Sequence, residues 1–563
     1  MLSNLEKNNF INIFFLPLDN RPCSYKYILE FFNILYKQEE QNKQKEQFNI
    51  DFYWDFNFNN LISKSKLDVS NSCNVYILSL DALLFGDLVN SRSIDSTKNY
   101  QKKINGLIDF IKSKKSSYFY FYISIPRIIL NLENTKNQNL NNADYEKIID
   151  YNKIIEINFK LSKRIRNIFK NYQYKKFNEI LKLLKNLIKK SNLNYYKMYY
   201  KVLKNSLITR KNKFNLIKFL LNRLYFLKKR YNLSNFELVI SLDDSQKKAL
   251  NFLELDFFKN YLKKKIKDIF NKVYFFIGLD EIHLILFAKA FLNIFNIKNL
   301  EINIFFNNKI DKKVGRYEGK SLKEILKIYS NFFKNYINFN FIDNLKEITL
   351  KKNNLQDYLF INLFNNNYCY QKESIKQIFD LLDKFKEKFY ILSNEISFED
   401  FLKYFIIYFK DAISYDILKY DILKNVKFLC DIEYSNGPSL ELLSFFLFNH
   451  KLLIDLKLYF SWNTLANSLG STLSFFILYK IFNIQDTKEL KEFVLSRFLE
   501  GVYQSFIRYF AKKNSWDVIK IKEAFLKILN SFNIKDIKIQ SIDLPWNRYF
   551  EIDVSVSLKE KDF

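Results

Sequence analysis

The chain has 563 residues, with 89 Lys and Arg against 60 Asp and Glu, for a net charge of +29. That length suits two to four domains at about 100–200 residues each. Four cysteines with no C-x-x-C pair and only two histidines give no disulfide framework and no zinc or iron–sulfur spacing. No uncharged apolar run reaches about 18 residues, so no transmembrane helix is expected, and an N-terminus without a signal-peptide pattern, together with reduced thiols, points to the cytoplasm.

Residue usage is skewed to Lys, Asn, Ile, Phe and Tyr, as AT-rich codons would produce, and only 8 Gly and 5 Pro remain. Average usage would give roughly 40 and 28. All five prolines and Gly86, Gly278, Gly437 and Gly470 sit beside polar residues at the ends of apolar runs, where a fixed or positive φ is needed. They mark turns.

In chain order, the first apolar run ends in LPLDNRP (16–22), and the next, from 74, ends in SLDALLFGDLVNSR (79–92). A third ends in SIPR (124–127). A long helical stretch then follows, 136–235, within which residues 161–230 hold 21 Lys and Arg and one acid, Glu179. Such a basic amphipathic surface has affinity for polyanions or an acidic partner. Lysine dominates over arginine and no recognition motif accompanies it, so nucleic acid is disfavoured and the partner of these helices stays open.

Apolar runs resume at FELVISLDDS (236–245), VYFFIGLDE (273–281), EINIFFNN (301–308), YLFINLFNN (358–366) and VKFLCDIEYSNG (426–437). At 456–473, LKLYFSWNTLANSLGSTL reads as strand, tight turn and helix, with Leu465, Leu469 and Leu473 at helical spacing. Residues 483–535 read as helices and 536–563 as a closing strand pair. Near-continuous apolar runs are the mark of parallel strands covered on both faces. The expected class is therefore α/β, with two or three doubly wound, mostly parallel sheets and a basic helical insertion; a single β/α barrel is the alternative. The expected divisions are 1–135, 136–235, 236–350, 351–482 and 483–563.

Strand ends supply the carboxylates Asp19, Asp81, Asp243, Asp244, Asp280 and Glu281, with Arg21 and Arg92 beside them. Carboxylates gathered at the carboxyl edge of an α/β sheet serve as an acid–base pair or as oxygen ligands of a divalent metal. Trp462 and Trp546 are each followed by Asn, a flat apolar face beside an amide, which suits a sugar ring. No G-x-G-x-x-G, P-loop, G-x-S-x-G or H-E-x-x-H motif occurs. With histidine so scarce, acid–base work falls to carboxylates, the chemistry of glycoside cleavage and of metal-assisted hydrolysis.

Taken together, LPLDNRP, SLDALLFGDLVNSR, SIPR, RKNKFN (210–215), SLDDS, GLDE, DIEYSNG, WNTLANSLGSTL and PWNRYFEID (545–553) resemble the motifs of a bacterial family catalogued as domain of unknown function 4127. The resemblance spans most of the chain, and the W-N-T-x-x-N-x-x-G piece is its most specific part. Asn20 stands where that family usually has a second aspartate, and Leu279 where it usually has alanine. The resemblance implies a shared fold and site but brings no reaction.

The residues themselves point to a carbohydrate-active hydrolase, glycosidase-like, acting on a small-molecule substrate. Asp244 with Asp280 or Glu281 are its expected acid and base. Asp19, Arg21, Asp81, Arg92, Asp243, Asn436, Trp462, Asn463 and Asn467 are expected to hold the substrate. No cofactor is expected. A divalent-metal hydrolase of a small anionic substrate and a non-catalytic sugar-binding or scaffold protein are the alternatives.

Overall fold

The computed structural model describes residues 10–19, 21, 23, 25–42, 49–65, 73–87, 100–126, 157, 160–161, 163–164, 177–190, 196–243, 249–305, 319–342, 358–361, 397–403, 405–406, 428–431, 440–461, 464–549 and 551–559. The chain divides into two compact units. One comprises 1–25, 43–290 and 316–320, and the other 26–42, 291–315 and 321–563.

The first unit is built on strands β1 (Phe10–Leu16), β2 (Asn49–Trp54), β3 (Cys73–Ser79), β4 (Tyr118–Ile125), β5 (Phe236–Leu242) and β6 (Val273–Ile277). All neighbours pair in parallel, in the order β2-β1-β3-β4-β5-β6. β3, β4 and β5 are buried along most of their length, which is why their sequences run apolar without alternation. The register stacks Phe14 on Tyr53 and Tyr76, and Tyr76 on Phe119, with ring centroids 4.7–5.1 Å apart and planes 13° off parallel. This aromatic row ties four strands together on one face.

The second unit holds β7 (Leu300–Phe305), β8 (Ile337–Ile342), β9 (Tyr358–Ile361), β10 (Phe428–Asp431) and β11 (Leu458–Ser461), parallel in the order β11-β10-β9-β7-β8. In order of appearance this is again second, first, third, fourth, fifth, so the two sheets share one doubly wound strand order. A ribbon of β12 (Ile537–Asp543) and β13 (Asp553–Leu558) pairs antiparallel and buries alternate residues, as a one-sided ribbon should. The strand, turn and helix expected at 456–473 are present as β11 and the Leu465–Phe482 helix, and the closing strand pair as β12 and β13.

The sheets do not part where the sequence boundaries were drawn. β5 and β6 continue the sheet begun by β1, so the basic stretch before them is a crossover between the neighbours β4 and β5. β8 and β9 likewise belong to one sheet. The described helices of the β4–β5 crossover include Phe177–Lys190 and Tyr196–Tyr231, the latter 36 residues long. Among the described residues no helix is long and apolar enough to cross a membrane.

Candidate functional site

In the first sheet the chain reverses direction of travel between β1 and β3, and ligands of open α/β sheets bind outside the strands' carboxyl ends at such a point. Asp19 follows β1 there and Asp81 follows β3. Asp19 and Arg21 are buried, and Arg21 grips Asp19 three ways: Nε donates to both carboxylate oxygens at 3.0 Å, and the backbone N–H donates to Oδ1 at 3.1 Å. The same guanidinium reaches Asp280 Oδ1 through Nη2 at 2.8 Å. One arginine therefore fixes two carboxylates from loops 259 residues apart.

Asp280 arrives by way of Gly278, whose φ of 94° lies where L side chains are strained, so glycine is needed for the turn off β6. Its N–H donates to Leu242 O, which sets β5 and β6 level at their ends. Asp243 extends the ladder on the other side of β5, its N–H donating to Ile125 O at 3.2 Å. Asp243 and Glu281 are both buried. The helix Ile282–Ile294 then returns to the opposite end of the sheet: His283 stacks on Phe15 of β1 with centroids 5.9 Å apart, and Phe287 packs against Phe15 and Phe52. This return carries Asp280 to Arg21.

His283 was not singled out by sequence, because it sits in the apolar run IHLILF. Burial holds its imidazole down at a pKa of about 3; the nearby Asp19 carboxylate pulls upward and the Arg21 guanidinium pushes further down. It is thus neutral, and its Nε2 has no hydrogen-bond partner among the described residues.

Asp81 is placed differently. Its side chain is fully buried and paired with Lys213 Nζ, itself fully buried. Asp81 Oδ2 accepts from the Ser124 N–H at 2.8 Å, and Lys213 donates to Ser124 Oγ at 2.9 Å. One turn earlier on the same helix, Arg210 makes a two-pronged pair with Glu254 at 2.7 and 3.2 Å and donates from Nη1 to Pro126 O at 2.8 Å. The basic helix thus sends two buried cations to the ends of β3 and β4. Lys213 falls within the RKNKFN motif but is not among the site residues read from sequence, being one lysine in a block full of them. Tyr122, which burial and the charges of Asp19 and Asp81 push well above the usual phenol range, lies on β4 within the same electrostatic field.

Asn467 is buried in the second unit, one turn into the Leu465–Phe482 helix. Asp244, Arg92, Asn436, Trp462 and Asn463 lie outside the described residues. Of the side chains able to hold a hard or borderline cation, Cys23 Sγ comes within 4.8 Å of an Asp280 carboxylate oxygen.

The model of a family described as a protein of unknown function, DUF4127, matches residues 13–334 and 411–555. The chain belongs to the DUF4127 family. Every candidate residue named above lies inside the stretches matched by DUF4127, as do His283, Lys213 and Arg210. No curated protein and no solved structure matches the chain.

Proposed function

We propose that the chain is a carbohydrate-active hydrolase that cleaves a glycosidic bond with strand-end carboxylates of its first unit as acid and base. The observation that carries this reading is Arg21 bridging Asp19 and Asp280 at the carboxyl edge of the sheet, with Asp243 and Glu281 buried in the neighbouring loops. Two carboxyl groups held at a set spacing can divide the labour of glycoside cleavage, one protonating the leaving oxygen and the other acting as base or nucleophile. Asp280 is the accessible member, with a side chain 20% exposed against 2% for Asp19. It therefore meets substrate, with Asp244 as its partner, while Asp19 and Arg21 hold it in position.

Asp280→Asn keeps an acceptor for the hydrogen bond from Arg21, which also stays paired with Asp19, and removes the proton-transferring group, so turnover of aryl glycosides is expected to fall by about 10²- to 10⁴-fold in a chain that still folds. Wild-type turnover in that variant would defeat the assignment.

A divalent-metal hydrolase is the second reading, favoured by the approach of Cys23 to Asp280. Metal bound after purification, with loss of activity in a chelator, would select it.

A further inference from the structure

The second unit contains a buried ionic cluster that the proposed hydrolysis does not use. Glu500, near the end of the Lys488–Val502 helix, has a side chain 2% exposed. Its Oε2 accepts from the Tyr27 hydroxyl at 2.6 Å, and its Oε1 lies 2.9 Å from Arg497 Nη2. The Arg497 guanidinium lies 3.7 Å from the centre of the Tyr27 ring, and its Nη2 is 3.6 Å from Glu30 Oε2. Lys26, at the start of the Lys26–Asn42 helix, pairs with Asp553 of β13 and with Glu30, and donates to Ser555 Oγ at 3.2 Å. The groups facing Glu500 are therefore Arg497 on its own helix, Tyr27 and Glu30 on the Lys26–Asn42 helix, and Asp553 on β13.

Three acids, Glu30, Glu500 and Asp553, share two bases, Arg497 and Lys26. Glu30 and Asp553 keep 27% and 20% exposure and can be solvated by water, whereas Glu500 cannot. The surplus negative charge is costly only on Glu500, and a proton there removes it. The same balance appears in its acidity: burial pushes the Glu500 carboxyl up to about 8, against the opposing pull of Arg497 and of the Tyr27 hydroxyl. Directly beyond it the helix widens into a π turn at Tyr503–Ile507, a feature that recurs where a helix is put to use.

We propose that Glu500 is a proton-held latch: protonated, it fastens the first turn of the Lys26–Asn42 helix to the Lys488–Val502 helix, and on losing its proton to solvent it loosens that attachment. The Lys26–Asn42 helix begins at the residue after Tyr25, so the latch holds the first turn of the second unit's first helix.

Amide hydrogen exchange tests this in the full chain. With the carboxyl ordinary in the opened state and near 8 in the closed one, protection of residues 27–32 and 493–502 should fall about thirtyfold from pH 6.5 to 9.5, after correction for intrinsic exchange. Glu500→Gln, neutral at every pH, should keep its protection across that range. An equal fall in the variant and the wild type would overturn the latch. Should Glu500→Gln fail to fold, Tyr27→Phe keeps the ring under Arg497 and deletes the hydroxyl that favours the carboxylate, so the midpoint of the fall should move to higher pH. An unmoved midpoint would equally overturn it.

Discussion

Replacing Lys213 with methionine isolates the ion pair that joins the basic helix to the first sheet. Methionine nearly matches the stem of lysine, so little cavity forms and the change is confined to the ammonium group, its charge and its hydrogen bond to Ser124 Oγ. Both side chains of the pair are fully buried, and without Lys213 the Asp81 carboxylate retains the Ser124 N–H at 2.8 Å as its described donor. Removing one partner of a buried pair costs about 3–5 kcal/mol. At about 1.4 kcal/mol per tenfold, that is a loss of roughly 10²- to 4 × 10³-fold in equilibrium protection. Hydrogen exchange at the amides of β3 and β4 reads the first unit by itself and avoids treating a two-unit chain as one transition. The double variant Asp81→Asn with Lys213→Met should recover more than half of the loss, since no charge is then stranded. A fall in protection of less than about fivefold for Lys213→Met, or a double variant no better than the single, would refute the buried pair.

Two further outcomes follow from local geometry. Because the folded His283 pKa lies below its unfolded value, the unfolded chain binds the extra proton between pH 6.5 and about 3. The contribution of the neutral imidazole is therefore complete above pH 6.5 and is lost as pH falls toward 3; a His283→Gln variant should show a shallower acid-side decline in exchange protection of β1 amides, and an identical decline would contradict this. Gly501→Ala should destabilise the second unit by about 1–3 kcal/mol although alanine favours helix, because the new Cβ would stand 2.7 Å from Ser461 Oγ. A raised melting temperature in that variant would show that the Lys488–Val502 helix does not press on the end of β11.

Local structure was legible wherever one signal dominated. The apolar run and the leucine spacing at 456–473 located β11 and its helix, and Gly278 was marked as a turn by its survival in a glycine-poor chain. Sheet membership was not legible, since β5 carries the same uninterrupted apolar pattern as β7 and nothing in either names its neighbour. Strand order is decided by which crossover packs best, a property of tertiary contact. For the candidate site, the acids Asp19 and Asp280 and the cation Arg21 were visible because a charged cluster ending an apolar run is conspicuous. His283 and Lys213 were hidden for opposite reasons. The first is a polar residue inside an apolar helix that looks like core, and the second lies in the RKNKFN motif, where nothing local sets it above the neighbouring cations until it meets Asp81.

A crystal of the full chain soaked with a non-hydrolysable glycoside tests the central claim most directly. A sugar ring should be found at the carboxyl edge of the first sheet, with its glycosidic oxygen within hydrogen-bond reach of Asp280 while Arg21 still bridges Asp280 to Asp19. A sugar bound far from that edge, with Asp280 untouched, would contradict it.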